Sequence, residues 1–315
     1  MKRREFITNT ALLSSGITFG SILKQNFSMN PDIYKFEIGK FKCTILRDLM
    51  FSYKASDYFI NADNSTLKNY IKEYNFDPEN IKSPFIALLI ETQSKKILID
   101  TGSGYSENPI TFRGKTIPLK GNLSKLLNET NIDKRSITDV IITHFHPDHI
   151  GGVFSDKELN YPNAKFHIHE KEWNYWNSSK SDNENPLFKI FVENNIKPLS
   201  NRNLSLIKGN ENEFDSGITS ILSEGHTPGQ ISINLNSEGE SLLYTSDAFL
   251  HPIHIEELDW KTNYDNNHEK SKRTREKLLS IAKTNDSIIN SFHFDFPGLG
   301  IAEKKSIKWK WNAIK

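Results

Sequence analysis

Three imidazoles and one carboxylate stand within six residues, as His144, His146, Asp148 and His149 in Thr143-His144-Phe145-His146-Pro147-Asp148-His149-Ile150-Gly151-Gly152. Neutral imidazole and carboxylate are ligands that suit zinc and similar divalent cations. Ligands at i, i+2, i+4 and i+5 fit neither one helix face nor one strand face. They fit a strand that ends in a tight loop, where side chains converge on two adjacent points. The apolar run Val140-Ile141-Ile142 supplies that strand. The cluster therefore reads as the heart of a two-metal hydrolytic site. A lone His-x-His would suit an inert, solvated loop about as well. The Asp-His pair, the preceding strand and Gly151-Gly152 after it favour metal.

Three further candidates follow, each after an apolar strand pattern. His226, in Gly225-His226-Thr227-Pro228-Gly229, follows Ile218 to Leu222. Asp247, in Ser246-Asp247-Ala248, follows Leu242 to Thr245, and His293 ends the run that starts at Ser287. A ligand at a strand end sits on a rigid scaffold while its tip stays open to substrate. Each alone is commonplace; in this order behind the first cluster they are strong.

The elements that must position these residues are legible from periodicity. Residues 33–52 alternate apolar and polar around Gly39 and predict strand, turn and strand. Pro84 to Ile90 and Lys96 to Ile99 predict two more strands, the second ending in the loop Asp100-Thr101-Gly102-Ser103-Gly104. Asp139 to Thr143 and Lys165 to His169 read as strands. Asn122 to Asn128 reads as a helix with Leu123, Leu126 and Leu127 on one face, and Glu170 to Trp176 as another. His268 to Lys283 is the best helix, with Leu278, Leu279 and Ala282 toward a core. Strands with interleaved helices predict an α/β fold, with helices packed outside two sheets.

Other residues receive blander readings. The single cysteine, Cys43, excludes a disulfide framework and a thiolate-rich zinc site; its alternating neighbours predict a buried strand position. His167 and His169 are expected at the surface or supporting the site, ahead of a second metal pair. His251 and His254 are candidates to line the pocket, and His268 is expected to be solvated at a helix start. Trp173, Tyr175 and Trp176 fit a pocket wall and ordinary helix packing equally well.

Composition narrows the function classes. The 315 residues carry 40 basic and 39 acidic side chains, net charge +1, which gives no electrostatic footprint for nucleic acid. Lys2-Arg3-Arg4-Glu5-Phe6-Ile7, followed by the moderately apolar Ala11 to Leu23, resembles a twin-arginine export signal. Residues 1–30 are read as that signal and residues 31–315 as one domain. The expected location is outside the cytoplasm, in the periplasm.

From Tyr34 almost to the C-terminus the chain resembles hydrolases of the metallo-β-lactamase fold, an αββα sandwich of two mixed sheets with helices on the outer faces. The motif His-x-His-x-Asp-His is present as His144, His146, Asp148 and His149, and the later ligands as His226, Asp247 and His293. The resemblance implies one metal on His144, His146 and His226, another on Asp148, His149 and His293, and Asp247 bridging them. Asp100, in Leu98-Ile99-Asp100-Thr101-Gly102, matches an acidic residue that supports the site from behind. The implied chemistry is attack by a hydroxide shared between two divalent ions roughly 3.5–4 Å apart, with Asp148 orienting the nucleophile or carrying its proton. Zinc is the expected ion, with manganese, iron or cobalt as alternatives.

The C-terminal third is similar to the methyl parathion hydrolase and quorum-quenching lactonase-like branch. The similarity lies in Phe292 to Gly300, Asp247-Ala248-Phe249-Leu250-His251, Arg275 to Leu279 and Trp309-Lys310-Trp311. The implied substrate is a small molecule with an ester-type bond: a lactone, carboxyl ester or organophosphate triester. Homodimers are common among such relatives. Two departures stand out: Asp295 where the branch commonly has Pro, and Gln230 where many members have His. Asp295 is expected to change the pocket's charge. A di-iron oxidoreductase on the same fold is the alternative, disfavoured because such proteins commonly carry Glu where this chain has His146. A non-catalytic metal-binding protein ranks lower, since the ligand set is complete.

Overall fold

The computed structural model describes residues 30–112 and 115–314. The export-signal expectation at residues 1–30 thus lies, but for Asn30, outside the described residues. Two seven-stranded sheets form the centre, and each is laid down in chain order. The first contains Ile33–Ile38, Phe41–Tyr53, Ile81–Glu91, Lys96–Ile99, Asp139–Ile141, Lys165–His169 and Leu204–Ile207. The second contains Glu211–Asp215, Ile218–Leu222, Ile231–Ser237, Glu240–Tyr244, Ile288–Asn290, Leu299–Lys305 and Lys308–Ala313.

The strand patterns explain why the sheets stack. In Ile81–Glu91, Ile86, Leu88 and Ile90 face the second sheet, while Ala87 and Leu89 face the outer helices. Ile97 and Ile99 point inward and Leu98 outward; Ile141 points inward, Val140 and Ile142 outward. These strands are apolar on both faces because both faces are covered. From the second sheet Ile218, Leu222, Ile231, Ile233 and Leu242 close the central layer, where Cys43 is also buried. Burial pushes the Cys43 thiol well up, so it stays protonated and inert.

One outer layer is built by the helices Leu123–Glu129 and Pro186–Asn195, through Leu123, Leu126, Leu127, Phe191 and Val192. The other is the helix His268–Thr284, which lays Leu278, Leu279 and Ala282 on Ile221, Leu243 and Ile289. The architecture is the αββα sandwich, with both sheets mixed. None of the helices in the described residues is long and apolar enough to cross a membrane.

Strand direction explains where chemistry can gather. Lys96–Ile99, Asp139–Ile141 and Lys165–His169 pair in parallel, so their C-terminal ends share one edge. In the second sheet Glu240–Tyr244 pairs in parallel with Ile288–Asn290. Ile218–Leu222 runs the same way, two antiparallel steps from Glu240–Tyr244. Ligands bind at the carboxyl ends of parallel strands in open α/β sheets, and all the candidate residues follow such ends.

Candidate metal centre

The structure brings the seven residues His144, His146, Asp148, His149, His226, Asp247 and His293 together as two groups. His144, His146, His226 and Asp247 form one; Asp148, His149, Asp247 and His293 form the other. Within each group the ligand atoms lie within 4.8 Å of one another. Asp247 belongs to both. One of its oxygens is 3.3 Å from His149 Nε2, and the other is 3.4 Å from His226 Nε2 and 3.2 Å from His293 Nε2.

Local backbone produces this convergence. The strand ends at Ile141, and His146 opens the short helix Pro147–Ile150, with Pro147 at its first position. There the missing proline N–H costs nothing. That turn carries Asp148 and His149 past His146 and returns the His149 ring to within 4.0 Å of the His144 ring. Gly152 is required next, because a Cβ there would stand 2.1 Å from the Thr101 carbonyl oxygen. Asp100 and Ser246 adopt left-handed backbone, with φ of 61° and 49°. Such non-glycine positions cost about 1–3 kcal/mol and concentrate at functional sites.

Around the seven sits a set of buried anchors. Asp100 accepts a hydrogen bond from His149 Nδ1 at 2.8 Å and from the Thr143 backbone N–H at 2.8 Å. This fixes the ring and turns Nε2 toward Asp247. Asp265 places Oδ1 3.2 Å from His226 Nδ1, and its other oxygen accepts from Arg275 Nη2 at 2.8 Å. Arg275 is fully buried and also donates to the carbonyls of Ala248 and Trp260. Sequence reasoning found Asp100 but not Asp265, which sits in the polar run Thr262 to Asn267 and reads as ordinary loop. Glu172 was missed too; one glutamate in a short helix carries no signal of its own.

Charge follows from these surroundings. Burial, with neighbouring histidines, holds His144 and His146 well below the usual imidazole range, so both offer free lone pairs. His149 lies well above it: burial opposes the charge, but Asp247, Asp100 and Asp148 together outweigh burial. Burial raises the carboxyl of Asp148, against the pull of His149 and His293. Asp247 stays far below the usual carboxylate range, since the histidines overcome its burial.

The residues fit divalent cations on their own chemistry. His144 Nε2, His149 Nε2 and Asp247 Oδ1 are buried and have no hydrogen-bond partner, an arrangement costly for polar atoms unless something binds them. A narrow cleft opens onto Asp148, Asp247, His146, His226 and His293, walled by Tyr53, Tyr58, Leu250 and Tyr264.

Several expectations are corrected. His167 and His169 are buried, not at the surface. His167 bonds Asp139 at 2.8 Å, and His169 bonds the Gly209 carbonyl and caps the next helix. His251 and His254 do not line the cleft. His254 donates to the Tyr58 carbonyl, and His251 packs among Phe59, Tyr74 and Phe76. Trp176 is core, its Nε1–H bound to Glu172, so the packing reading holds for it. His268 is only half exposed, at the first turn of its helix. Asp295 is exposed and does not line the cleft, and Gln230 is buried, donating to the Ser223 carbonyl. A larger open cavity of about 460 Å³ lies at the other ends of the strands, beside Asp139 and Lys165. It holds no converging ligand set.

Comparison with known proteins agrees with this geometry. Residues 87–283 match the family model of the metallo-beta-lactamase superfamily. The solved structure of AidC, a dizinc quorum-quenching lactonase in complex with a product, is 26% identical, with a TM-score of 0.76 over 90% of this chain and 97% of that one. The hydrolase AbOPH of the beta lactamase superfamily is 22% identical, with a TM-score of 0.79 over 91% and 99%. A probable metal-dependent hydrolase from Staphylococcus aureus is also 22% identical, with a TM-score of 0.72 over 88% and 97%. Among curated proteins no relative matches. With the family model covering more than half of its length, and the sandwich and paired His/Asp groups in place, the chain belongs to the metallo-beta-lactamase superfamily.

Proposed function

We propose that this chain is a dimetal hydrolase that opens lactones, with carboxyl esters and organophosphate triesters as the neighbouring substrate classes. The observation that carries it is the sharing of Asp247 between two complete ligand groups at the floor of one cleft. His144, His146 and His226 would hold one ion, Asp148, His149 and His293 the other, with Asp247 serving both. When bound, the two ions supply Lewis acidity and a water-derived nucleophile at neutral pH. Zinc is the proposed ion, supported by the dizinc relative; His/Asp sites also take manganese, iron or cobalt.

The chain's own residues do the rest. Asp247, held ionised, draws His149, His226 and His293 onto one point. Asp148 faces the cleft beside His149 and His293, which places it to orient the nucleophile. Tyr53, Tyr58, Leu250 and Tyr264 exclude water and offer aromatic walls to an apolar substrate. Lactone stands first because the 26% identical relative is a lactonase bound to its product. Assay of the zinc-loaded protein with an acyl lactone, an aryl ester and an organophosphate triester tests this. Fastest turnover of the lactone supports the proposal, and turnover of none of the three contradicts it.

Export is proposed from the paired arginines Arg3 and Arg4, tested by cell fractionation with Arg3→Lys and Arg4→Lys together. A homodimer is proposed from the branch resemblance, tested by light scattering.

A further inference from the structure

Glu172 lies in the helix Glu170–Trp176 and is 1% exposed. Both of its oxygens are filled by donors. Oε1 accepts from the Phe145 backbone N–H at 3.0 Å and from Trp176 Nε1–H at 2.8 Å. Oε2 accepts from Thr227 Oγ1 at 2.7 Å and from the Gly229 backbone N–H at 2.9 Å. A buried carboxylate with four donors is costly to move, because each lost bond leaves a desolvated group unpaired.

Its donors are not scattered. Phe145 stands between His144 and His146, and Thr227 follows His226. One carboxylate therefore pins the two loops that carry all three histidines of a single ligand group. The loops are pressed onto it: a Cβ at Gly229 would lie 2.1 Å from the Glu172 backbone nitrogen. Where the loops meet, His146 Nδ1 and His226 Nε2 are 2.9 Å apart. Asp148, His149 and His293 receive no bond from Glu172. There the buried carboxylate is Asp100, bonded to His149 Nδ1 at 2.8 Å.

We infer that Glu172 is a positioning residue for one metal alone, setting the spacing of His146 and His226, while Asp100 orients His149 directly and also reaches His144 through Thr143. The inference rests on the two-metal reading above. Glu172 is not among the residues that line the cleft, and it acts through the loop groups it holds.

The test is equilibrium dialysis of the full-length protein, Glu172→Gln and Asp100→Asn against buffered zinc, with cobalt(II) absorption to report which donor set fills. The expected result for Glu172→Gln is one ion retained at unchanged affinity and the other weakened roughly 10–100-fold. Asp100→Asn should weaken the ion on His149 most and, through Thr143 and His144, touch the other as well, so its pattern of loss and its cobalt spectrum differ from those of Glu172→Gln. Equal weakening of both ions in Glu172→Gln, or of neither, overturns the inference while leaving the two-metal reading intact. A wild-type protein that binds fewer than two ions contradicts that reading and the inference with it. If Glu172→Gln does not fold, Thr227→Val removes one of the four donors; a smaller loss confined to the same ion supports the inference, and loss from both or neither overturns it.

Discussion

Asp265 sets a carboxylate oxygen 3.2 Å from Nδ1 of His226, whose other ring nitrogen lies 3.4 Å from Asp247. The ring is thus gripped from behind while Nε2 faces the site, and the grip is itself anchored by Arg275. Asp265→Asn should weaken binding of the ion on His144, His146 and His226 by roughly 10–100-fold, read by zinc competition with a chromophoric chelator. It should also cost about 3–5 kcal/mol of stability, because it leaves the Arg275 charge buried and uncompensated. Melting of the metal-free protein measures that separately.

The same carboxyl gives a pH dependence with a defined sign. Burial alone would raise Asp265, but Arg275 and His226 hold it below the usual carboxylate range. A depressed carboxyl adds stability above its unfolded pKa of about 3.9, and that stability fades as pH falls through the lower folded value. Acid unfolding of the metal-free wild type should therefore steepen below about pH 4. In Asp265→Asn this contribution is absent, and the difference in stability between the two proteins should shrink toward low pH.

His149 carries a proton in the metal-free site, since Asp247, Asp100 and Asp148 outweigh its burial. A cation that takes His149 Nε2 must displace that proton. Zinc binding at neutral pH should release protons, seen as a dependence of calorimetric enthalpy on the buffer's ionisation enthalpy. His149→Gln should lower the count by about one.

Gly152→Ala should destabilise the fold by about 1–3 kcal/mol and reduce zinc uptake. The new methyl would stand 2.1 Å from the Thr101 carbonyl oxygen and push the loop behind His149 off its support. Denaturant midpoint and metal content measure the two effects.

Tyr264 walls the cleft from a loop outside both sheets. Tyr264→Ala should raise KM for substrates with an apolar tail by about tenfold, the effect of about 1.4 kcal/mol of lost apolar contact, and leave two ions bound. An unchanged ratio of kcat/KM between long-tailed and short-tailed lactones would count against this wall.

How much of this was legible in the sequence depends on what carried each signal. His144 to His149 declare themselves by density, and the strands around them by short apolar runs that the structure covers on both faces, as in Ile97, Leu98 and Ile99. The helix Pro186–Asn195 and the edge hairpin Leu299–Lys305 with Lys308–Ala313 were not read. The first opens on Pro186 and runs into polar Asn194-Asn195, and the second turns in the polar run Glu303-Lys304-Lys305-Ser306. The anchors Glu172 and Asp265 were invisible, because a carboxylate held by donors distant in the chain leaves no local pattern. The histidines after Asp247 misled for the opposite reason. His251 and His254 follow Asp247 closely enough to read as pocket lining, yet the turn into the short helix Ile253–Glu256 places them in an aromatic cluster with Tyr58, Phe59 and Phe76.

The most direct measurement is metal content and lactone hydrolysis of the purified protein beside Asp247→Ala. Two ions per chain in the wild type, with active turnover, and loss of both the second ion and turnover in Asp247→Ala is the result the shared carboxylate predicts. One ion or none in the wild type, or two ions and full turnover retained in Asp247→Ala, would contradict a dimetal site built on Asp247.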